Sequence, residues 1–93
     1  MANRALLMNE KDNVATVLDS IRQGESVQIL LNGKSQQEIR VIDEIDCYHK
    51  IAVREIKKGE TVFKYGEIIG RATQDISIGR HVHINNIESV MVV

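Results

Sequence analysis

Glycines that recur every few residues place the strongest constraint on how this chain folds. The second half contains glycines spaced 4 to 9 residues apart: Gly59, Gly66, Gly70 and Gly79. Glycine at this density interrupts a helix but suits tight turns and bends between short strands. No proline occurs anywhere to contradict a strand. The pattern predicts a compact, mainly β structure over residues 26–93.

Two near-repeats support a β structure built from similar units. The segments "IAVREIKKGETV" and "RATQDISIGRHV" align Ile56 with Ile76 and Gly59 with Gly79, and each then leads into a valine. Internal similarity at a fixed spacing is the signature of repeated structural units. We therefore expect two hairpins, related by pseudo-symmetry, that clasp each other.

The first part of the chain contains a hairpin signal and a helix signal. The runs "SVQILL" and "QEIRVI" flank Asn32-Gly33, a dipeptide typical of tight β-hairpins, and "RALLM" fits an entry strand that pairs with a later one. Between them, apolar residues recur at the i, i+3, i+4 and i+7 spacing of a helix: Val14, Val17, Leu18 and Ile21. Asp12 or Asn13 can cap the start and Gly24 can close the end. This predicts one short helix at about residues 13–23.

Length and charge limit the possible classes of protein. A chain of 93 residues fits one domain, residues 1–93, which hides only about 60–65% of its unfolded surface. The net charge of −1, with acids and bases interleaved, argues against a nucleic-acid or anionic-membrane partner. No signal peptide or apolar run of membrane-spanning length is present, so we expect a cytoplasmic protein. The single cysteine, Cys47, reads as a small buried or half-buried filler.

The stretch "GRHVHINN" carries the clearest candidate site. On a strand, residues i, i+2 and i+4 share one face, so His81, His83 and Asn85 would point the same way while Val82 and Ile84 point into the core. A spacing of about 6.6 Å between alternate residues lets two imidazoles converge on one metal ion or one substrate. A solvated, purely decorative histidine pair is the alternative.

The second half resembles a known family. The stretch "YHKIAVREIKKGETVFKYGEIIGRATQDISIGRHVHINN" is similar to the small N-terminal domain of the altronate and galactarate dehydratase family and to the small subunit of sulfolactate sulfo-lyase, and "DNVATVL" resembles the family's opening helix. These are SAF-type domains, also called β-clip domains. The resemblance therefore implies a mainly β, SAF-like fold with one short N-terminal helix. This chain departs from the family at Tyr48, usually Gly, and at Asn85, usually a third histidine.

The resemblance also implies a function and a set of site residues. It implies a small subunit or N-terminal domain of a metal-dependent hydro-lyase acting on sugar acids, with Fe²⁺ or Mn²⁺ held mainly by a large catalytic subunit. The implied catalytic residues are His49, His81 and His83, and the last two are also candidate metal ligands. The implied substrate-binding residues are Lys50, Lys64, Asn85 and Asn86.

Other interpretations stay open at this stage. His49 alternatively bonds a backbone carbonyl, and Lys50 and Lys64 alternatively are solvated surface lysines. A sulfolactate sulfo-lyase subunit is one further possibility, and a non-catalytic module that binds organic acids or organises an assembly is another. Exposed strand edges in so small a β domain make a homo-oligomer plausible.

Overall fold

A computed structural model describes residues 3–89 as a mainly β structure of two sheets. The strands are β1 (Asn3–Leu6), β2 (Val14–Val17), β3 (Ser26–Leu31), β4 (Lys34–Arg40), β5 (Lys50–Ala52), β6 (Thr61–Lys64), β7 (Glu67–Ala72), β8 (His81–Val82) and β9 (Ile87–Ser89). The larger sheet has the order β4-β3-β1-β2-β5-β8, and the smaller has the order β6-β7-β9. The mainly β prediction is confirmed within this range, and residues 90–93 of its predicted extent lie outside the described residues.

The expected hairpin and entry strand are both present. β3 and β4 pair antiparallel around Asn32 and Gly33, whose φ angles of 52° and 78° place both in the left-handed region that a tight hairpin turn requires. β1 pairs parallel with β3 and antiparallel with β2. The residues of the turn therefore account for the pairing of β3 with β4.

The expected clasp of two repeats is confirmed, and the structure shows four such repeats where the sequence suggested two. Ile56 and Ile76 form an antiparallel bridge, and Ile21 and Ile45 form an equivalent one. Each bridging isoleucine is followed three residues later by a turn residue with positive φ, namely Gly24, Tyr48, Gly59 and Gly79. We number these turns 1 to 4 in chain order.

The four turns share one hydrogen-bond pattern. In each, the residue that follows the turn residue donates its amide hydrogen to the carbonyl of the residue three positions earlier. Examples are Glu60 N to Lys57 O at 2.9 Å and His49 N to Asp46 O at 3.0 Å. A positive φ at the third position of such a turn favours glycine. Turn 2 instead holds Tyr48, with φ 68°.

Two apolar clusters lie on opposite sides of the central strands. In β2, Ala15 and Val17 belong to the first cluster and Val14 to the second; in β5, Ile51 belongs to the first and Ala52 to the second. Successive residues of a strand point to opposite faces, so strands buried on both faces have consecutive apolar residues. The β2–β5 pair therefore separates the two clusters.

The helix predicted at about residues 13–23 is wrong. The segment contains strand β2 and turn 1, and no helix occurs in residues 3–89. Val14 and Val17 are buried on opposite faces of β2, and both are β-branched residues that favour a strand. Within the described part of the chain, no helix is long and apolar enough to cross a membrane.

The residues predicted to cap that helix cap a distant hairpin. Asp12 is fully buried, and its carboxylate accepts hydrogen bonds from the amides of Tyr65, at 2.9 Å, and Gly66, at 2.7 Å. Asn13 accepts from the amide of Phe63 at 2.8 Å. The expected chemistry, side-chain oxygens satisfying backbone amides, is present, but it joins segments about 50 residues apart in the chain.

Candidate functional site

The pairing of β5 with β8 brings all three histidines of the chain together. Lys50 is paired with Val82 and Ile51 with His81, so His49 and His83 lie just beyond the last pair at the same end. Directly opposed residues share a face, and the histidines therefore lie on the face of β5 and β8 that carries Ile51. This places them at the edge of the first apolar cluster.

The three imidazole rings form a compact group. His49 Nδ1 lies 2.9 Å from His81 Nε2, a hydrogen-bond distance. The ring centroids of His81 and His83 are 4.9 Å apart, and those of His49 and His83 are 6.1 Å apart with nearly parallel planes. The proposed catalytic residues His49, His81 and His83 are thus brought together, although 32 residues separate the first two in the chain.

Asn85 and Asn86 hold the histidines through a tight turn. Asn86 accepts from the amide of His83 at 2.8 Å and donates through Nδ2 to the carbonyl of His81 at 2.8 Å. Asn85 Oδ1 lies 2.5 Å from His83 Nδ1. Because an amide oxygen only accepts, this contact requires a hydrogen on Nδ1 of His83, and Nε2 is the acceptor whenever the imidazole is neutral.

The turn corrects one expectation about "HVHIN". Strand β8 ends at Val82, and Ile84 is 84% exposed where the alternation of a strand had predicted a core position. Asn86 ends the strand because its side chain bonds the backbone of His81 and His83. Asn86 therefore orients the histidine segment through its own hydrogen bonds, and its substrate-binding role stays a prediction.

Asp43 and Arg80 complete one side of the group. Asp43 accepts from the amide of His81 through Oδ2 at 3.1 Å and pairs with the Arg80 guanidinium through Oδ1 at 3.1 Å. Both residues line a cleft of about 450 Å³ together with His81, His83, Asn85 and Asn86. Clefts of this size accommodate small-molecule ligands.

The protonation of His81 responds to this environment. Partial burial, followed by the charges of His83 and His49, lowers the pKa of His81 below its ordinary 6.5, while the Asp43 carboxylate acts in the opposite direction. A lowered pKa keeps the imidazole neutral near pH 7. His81 is therefore able to accept a proton under ordinary conditions.

The two predicted substrate-binding lysines lie on the other side of β5. Lys50 shares a face with Val82, and Lys64 follows Val62 on the side of β6 that meets the second apolar cluster. Burial and the nearby charge of Lys64 lower the pKa of Lys50. The Lys64 ammonium also lies 5.0 Å from the ring centroid of Tyr65. The lysines thus form a second, positively charged group on the opposite face of β5, and Lys50 is near enough that its charge also lowers the pKa of His81.

The donor set does not form a metal centre by itself. Within residues 3–89, no group of three or more His, Cys, Asp or Glu side chains is arranged to hold a metal ion. Ligands must aim lone pairs at a common ion, whereas His49 Nδ1 and His81 Nε2 face each other and Nδ1 of His83 faces Asn85. The expected metal and its ligands His81 and His83 remain predictions.

Sequence reasoning missed two residues of the site: Asp43 and Arg80. Asp43 stands two residues before Ile45, which is one of the bridging isoleucines. That position could have been recognised only by aligning all four repeats. Arg80 stands immediately after the turn glycine Gly79, as His49 stands after Tyr48. The same alignment would have placed Tyr48 in a position that favours glycine.

Comparison with known proteins gives a consistent result. A family model described as the altronate/galactarate dehydratase SAF domain matches residues 3–90. Altronate dehydratase of Bacillus subtilis is 43% identical over 79 residues, which are 85% of this chain and 15% of that protein; the Escherichia coli enzyme is 37% identical over 75 residues, 81% of this chain and 14% of that protein. The chain thus spans a small fraction of these relatives.

A shorter relative shows similarity over part of the chain. The alpha subunit of (2R)-sulfolactate sulfo-lyase of Chromohalobacter salexigens is 42% identical over 52 residues. That match covers 56% of this chain and 55% of the subunit. The similarity therefore extends to a protein whose own name describes one subunit of a lyase.

Proposed function

The chain belongs to the altronate/galactarate dehydratase SAF domain family, and from this premise we propose that it is the SAF component of a lyase acting on a hydroxylated organic acid. It serves as a small subunit or an N-terminal domain and works with a larger catalytic portion. The observation that carries the proposal is the convergence of His49, His81 and His83 beside a polar cleft of about 450 Å³.

The proposed reaction is a β-elimination. A base removes the proton next to the substrate carboxylate, and the electrons of that C–H bond form a C=C bond as the C–O bond to the neighbouring hydroxyl breaks. The departing hydroxyl takes a proton from an acid and leaves as water. The step needs one group that accepts a proton and one that donates a proton at adjacent carbons.

The imidazole group suits this transfer of protons. Neutral His81 is able to accept a proton, and its contact with His49 offers a second nitrogen to share it. Asn85 holds His83 in one tautomer, which leaves Nε2 available. We assign these three side chains to proton transfer at the substrate, and Asn85 both to orienting His83 and to binding a substrate hydroxyl.

Lys50 and Lys64 are proposed to attract a carboxylate. Among the ion pairs of residues 3–89, none includes either lysine, and their mutual repulsion is relieved by an anion. Arg80 adds positive charge at the cleft, although Asp43 already pairs with it. An anionic substrate is thus drawn to a surface rich in imidazole and ammonium groups.

The catalytic portion is proposed to supply what this domain lacks. The described residues do not form a metal centre, so any Fe²⁺ or Mn²⁺ used in the reaction is assigned to that portion. A divalent metal would stabilise the enediolate that develops when the α-proton leaves. This chain would then provide histidines at the edge of a shared site.

A sulfo-lyase subunit is the second candidate function. The similarity to the sulfolactate sulfo-lyase alpha subunit favours it. In that reaction the C–S bond breaks in place of the C–O bond, and sulfite leaves. The α-proton is removed in the same way, so the histidine group would serve both reactions.

The test begins with a tagged chain recovered from its native cells. The co-purifying proteins are identified, and the purified complex is assayed for dehydration of altronate and galactarate and for sulfite release from sulfolactate, with and without a chelator. We expect a partner of several hundred residues and turnover that the isolated chain lacks. Recovery of the chain without such a partner, or of an inactive complex, would favour a non-catalytic binding or assembly module.

A further inference from the structure

Two side chains next to the histidine group are largely exposed. Tyr48 is 72% exposed and Ile84 is 84% exposed, and these are the most exposed large apolar side chains of residues 3–89. Each directly adjoins one of the two stacked histidines, Tyr48 next to His49 and Ile84 next to His83. They therefore sit at the same end of the β5–β8 pair. We call Tyr48 and Ile84 the apolar rim.

Tyr48 occupies an unfavourable backbone conformation. Its φ of 68° lies in the left-handed region, which bulky residues rarely adopt, and the three equivalent turns use Gly24, Gly59 and Gly79. The fold therefore does not require a tyrosine here. Because the ring is exposed, packing within the domain does not compensate the strain. Because backbone strain clusters at functional sites, the strain at Tyr48 points to a contact outside the domain.

Ile84 is exposed because of the turn that follows strand β8. Asn86 bonds the backbone of His81 and His83, and in the resulting turn the side chain of Ile84 faces outward. An isoleucine at the tip of a short turn is unusual, because glycine, proline and short polar residues dominate such positions. The exposed side chain gives no stability to the isolated domain.

We infer that the apolar rim is the docking contact between this domain and the catalytic portion of the lyase, closing the histidine site when the two meet. The inference rests on the proposed function. Two side chains bury far less than the roughly 800 Å² per partner that holds a stable dimer together. The rim therefore suits a partner already held nearby, as expected for a domain that is 14–15% of its altronate dehydratase relatives.

Charge defines the partner face further. His49, His83 and Lys50 adjoin the rim, and Lys50 forms no ion pair among residues 3–89. A complementary face has an apolar recess for Tyr48 and Ile84, bordered by carboxylates.

The test uses the large chain recovered with the tagged protein. Both chains are purified, and the Kd between them is measured by titration calorimetry for wild type, Tyr48→Gly and Ile84→Ser. The matched control is Ile68→Ser, because Ile68 is also exposed, at 46%, but lies on β7 in the other sheet. Thermal unfolding and sedimentation of each variant alone are measured in parallel.

We expect Tyr48→Gly and Ile84→Ser each to weaken binding by about 10-fold, and the control to change it by less than about 2-fold. Tyr48→Gly should also raise the Tm of the isolated chain by about 4 °C, because the strain is relieved. Unchanged binding by both rim variants overturns the inference alone. If the rim variants lose self-association but still bind the large chain, the rim is a contact with a second copy, and the inference is also overturned. Failure to recover any large chain overturns this inference together with the proposed function.

Discussion

The four repeats divide into two kinds of turn. After turns 1 and 3 the chain continues with a glutamate, and that side chain accepts from a backbone amide of its own turn, Glu25 from Arg22 N and Glu60 from Lys57 N, each at 2.7 Å. After turns 2 and 4 the equivalent residues are His49 and Arg80. One kind of turn thus stabilises itself locally, and the other leads basic side chains into the site.

The difference shows how a symmetric scaffold acquires an asymmetric site. The strands that leave turns 2 and 4 are β5 and β8, and these pair with each other. Any residues placed after those two turns are therefore brought side by side. The strands that leave turns 1 and 3 are β3 and β6, which belong to different sheets and contribute no histidine. The four repeats share one backbone pattern, and only the strands after turns 2 and 4 carry the candidate site residues.

Removing the histidines after turn 4 tests this division most strongly. Replacing both His81 and His83 by Ala should lower turnover of the reconstituted complex by about 10³-fold, because proton transfer to the substrate is lost. Lys57→Ala, at an exposed residue of turn 3, serves as the control and should leave turnover unchanged. Steady-state kinetics measures both. Turnover within about 3-fold of wild type for the double variant would contradict a catalytic role and favour an assembly module.

Removing a buried carboxylate should affect stability and leave the chemistry intact. Asp12→Ala leaves the amides of Tyr65 and Gly66 without their acceptor and should cost about 3 kcal/mol in the free energy of unfolding. Urea unfolding measures the loss, with the exposed Asp19→Ala as control. An equal effect at both aspartates would show that the buried contact does not hold the hairpin.

The turn glycines should differ in their tolerance of a side chain. A Cβ at Gly59 meets nothing within 4 Å, so Gly59→Ala should cost only the backbone strain, about 1 kcal/mol. A Cβ at Gly79 would lie 2.5 Å from the carbonyl oxygen of Arg40, and Gly79→Ala should cost about 2 kcal/mol. Denaturant titration of the two variants gives the comparison. Equal losses would mean that the backbone around turn 4 yields easily.

The smallest expected effect is a pH dependence of stability that arises from His81. Its pKa is lowered in the folded chain, so between that pKa and 6.5 the unfolded chain binds more protons. Stability should therefore be fully present above about pH 6.5 and decline as the pH falls below it. Unfolding measured from pH 7.5 to 5.5 should show a steeper decline for wild type than for His81→Gln. Parallel curves would show that His81 does not titrate differently on folding.

The sequence predicted individual turns more successfully than it predicted strand β2. The hairpin at Asn32-Gly33 and the clasp at Ile56 and Ile76 were predictable because each depends on turn residues with particular φ demands. The helix at about residues 13–23 was wrong because apolar residues buried on both faces of a strand can also fall at helical spacing. Local periodicity does not distinguish these two cases.

The amino-acid sequence by itself determined the mainly β character of this protein, the turns at Asn32-Gly33, Gly59 and Gly79, and its family. These depend on the backbone preferences of glycine and asparagine and on a long run of matched residues, both of which are local. Only the tertiary structure decided that the amides bound by Asp12 lie in a distant hairpin, that Ile84 is exposed, and that His49 meets His81. Those outcomes depend on which strands pair and which faces are covered, and pairing across tens of residues is set by the whole fold.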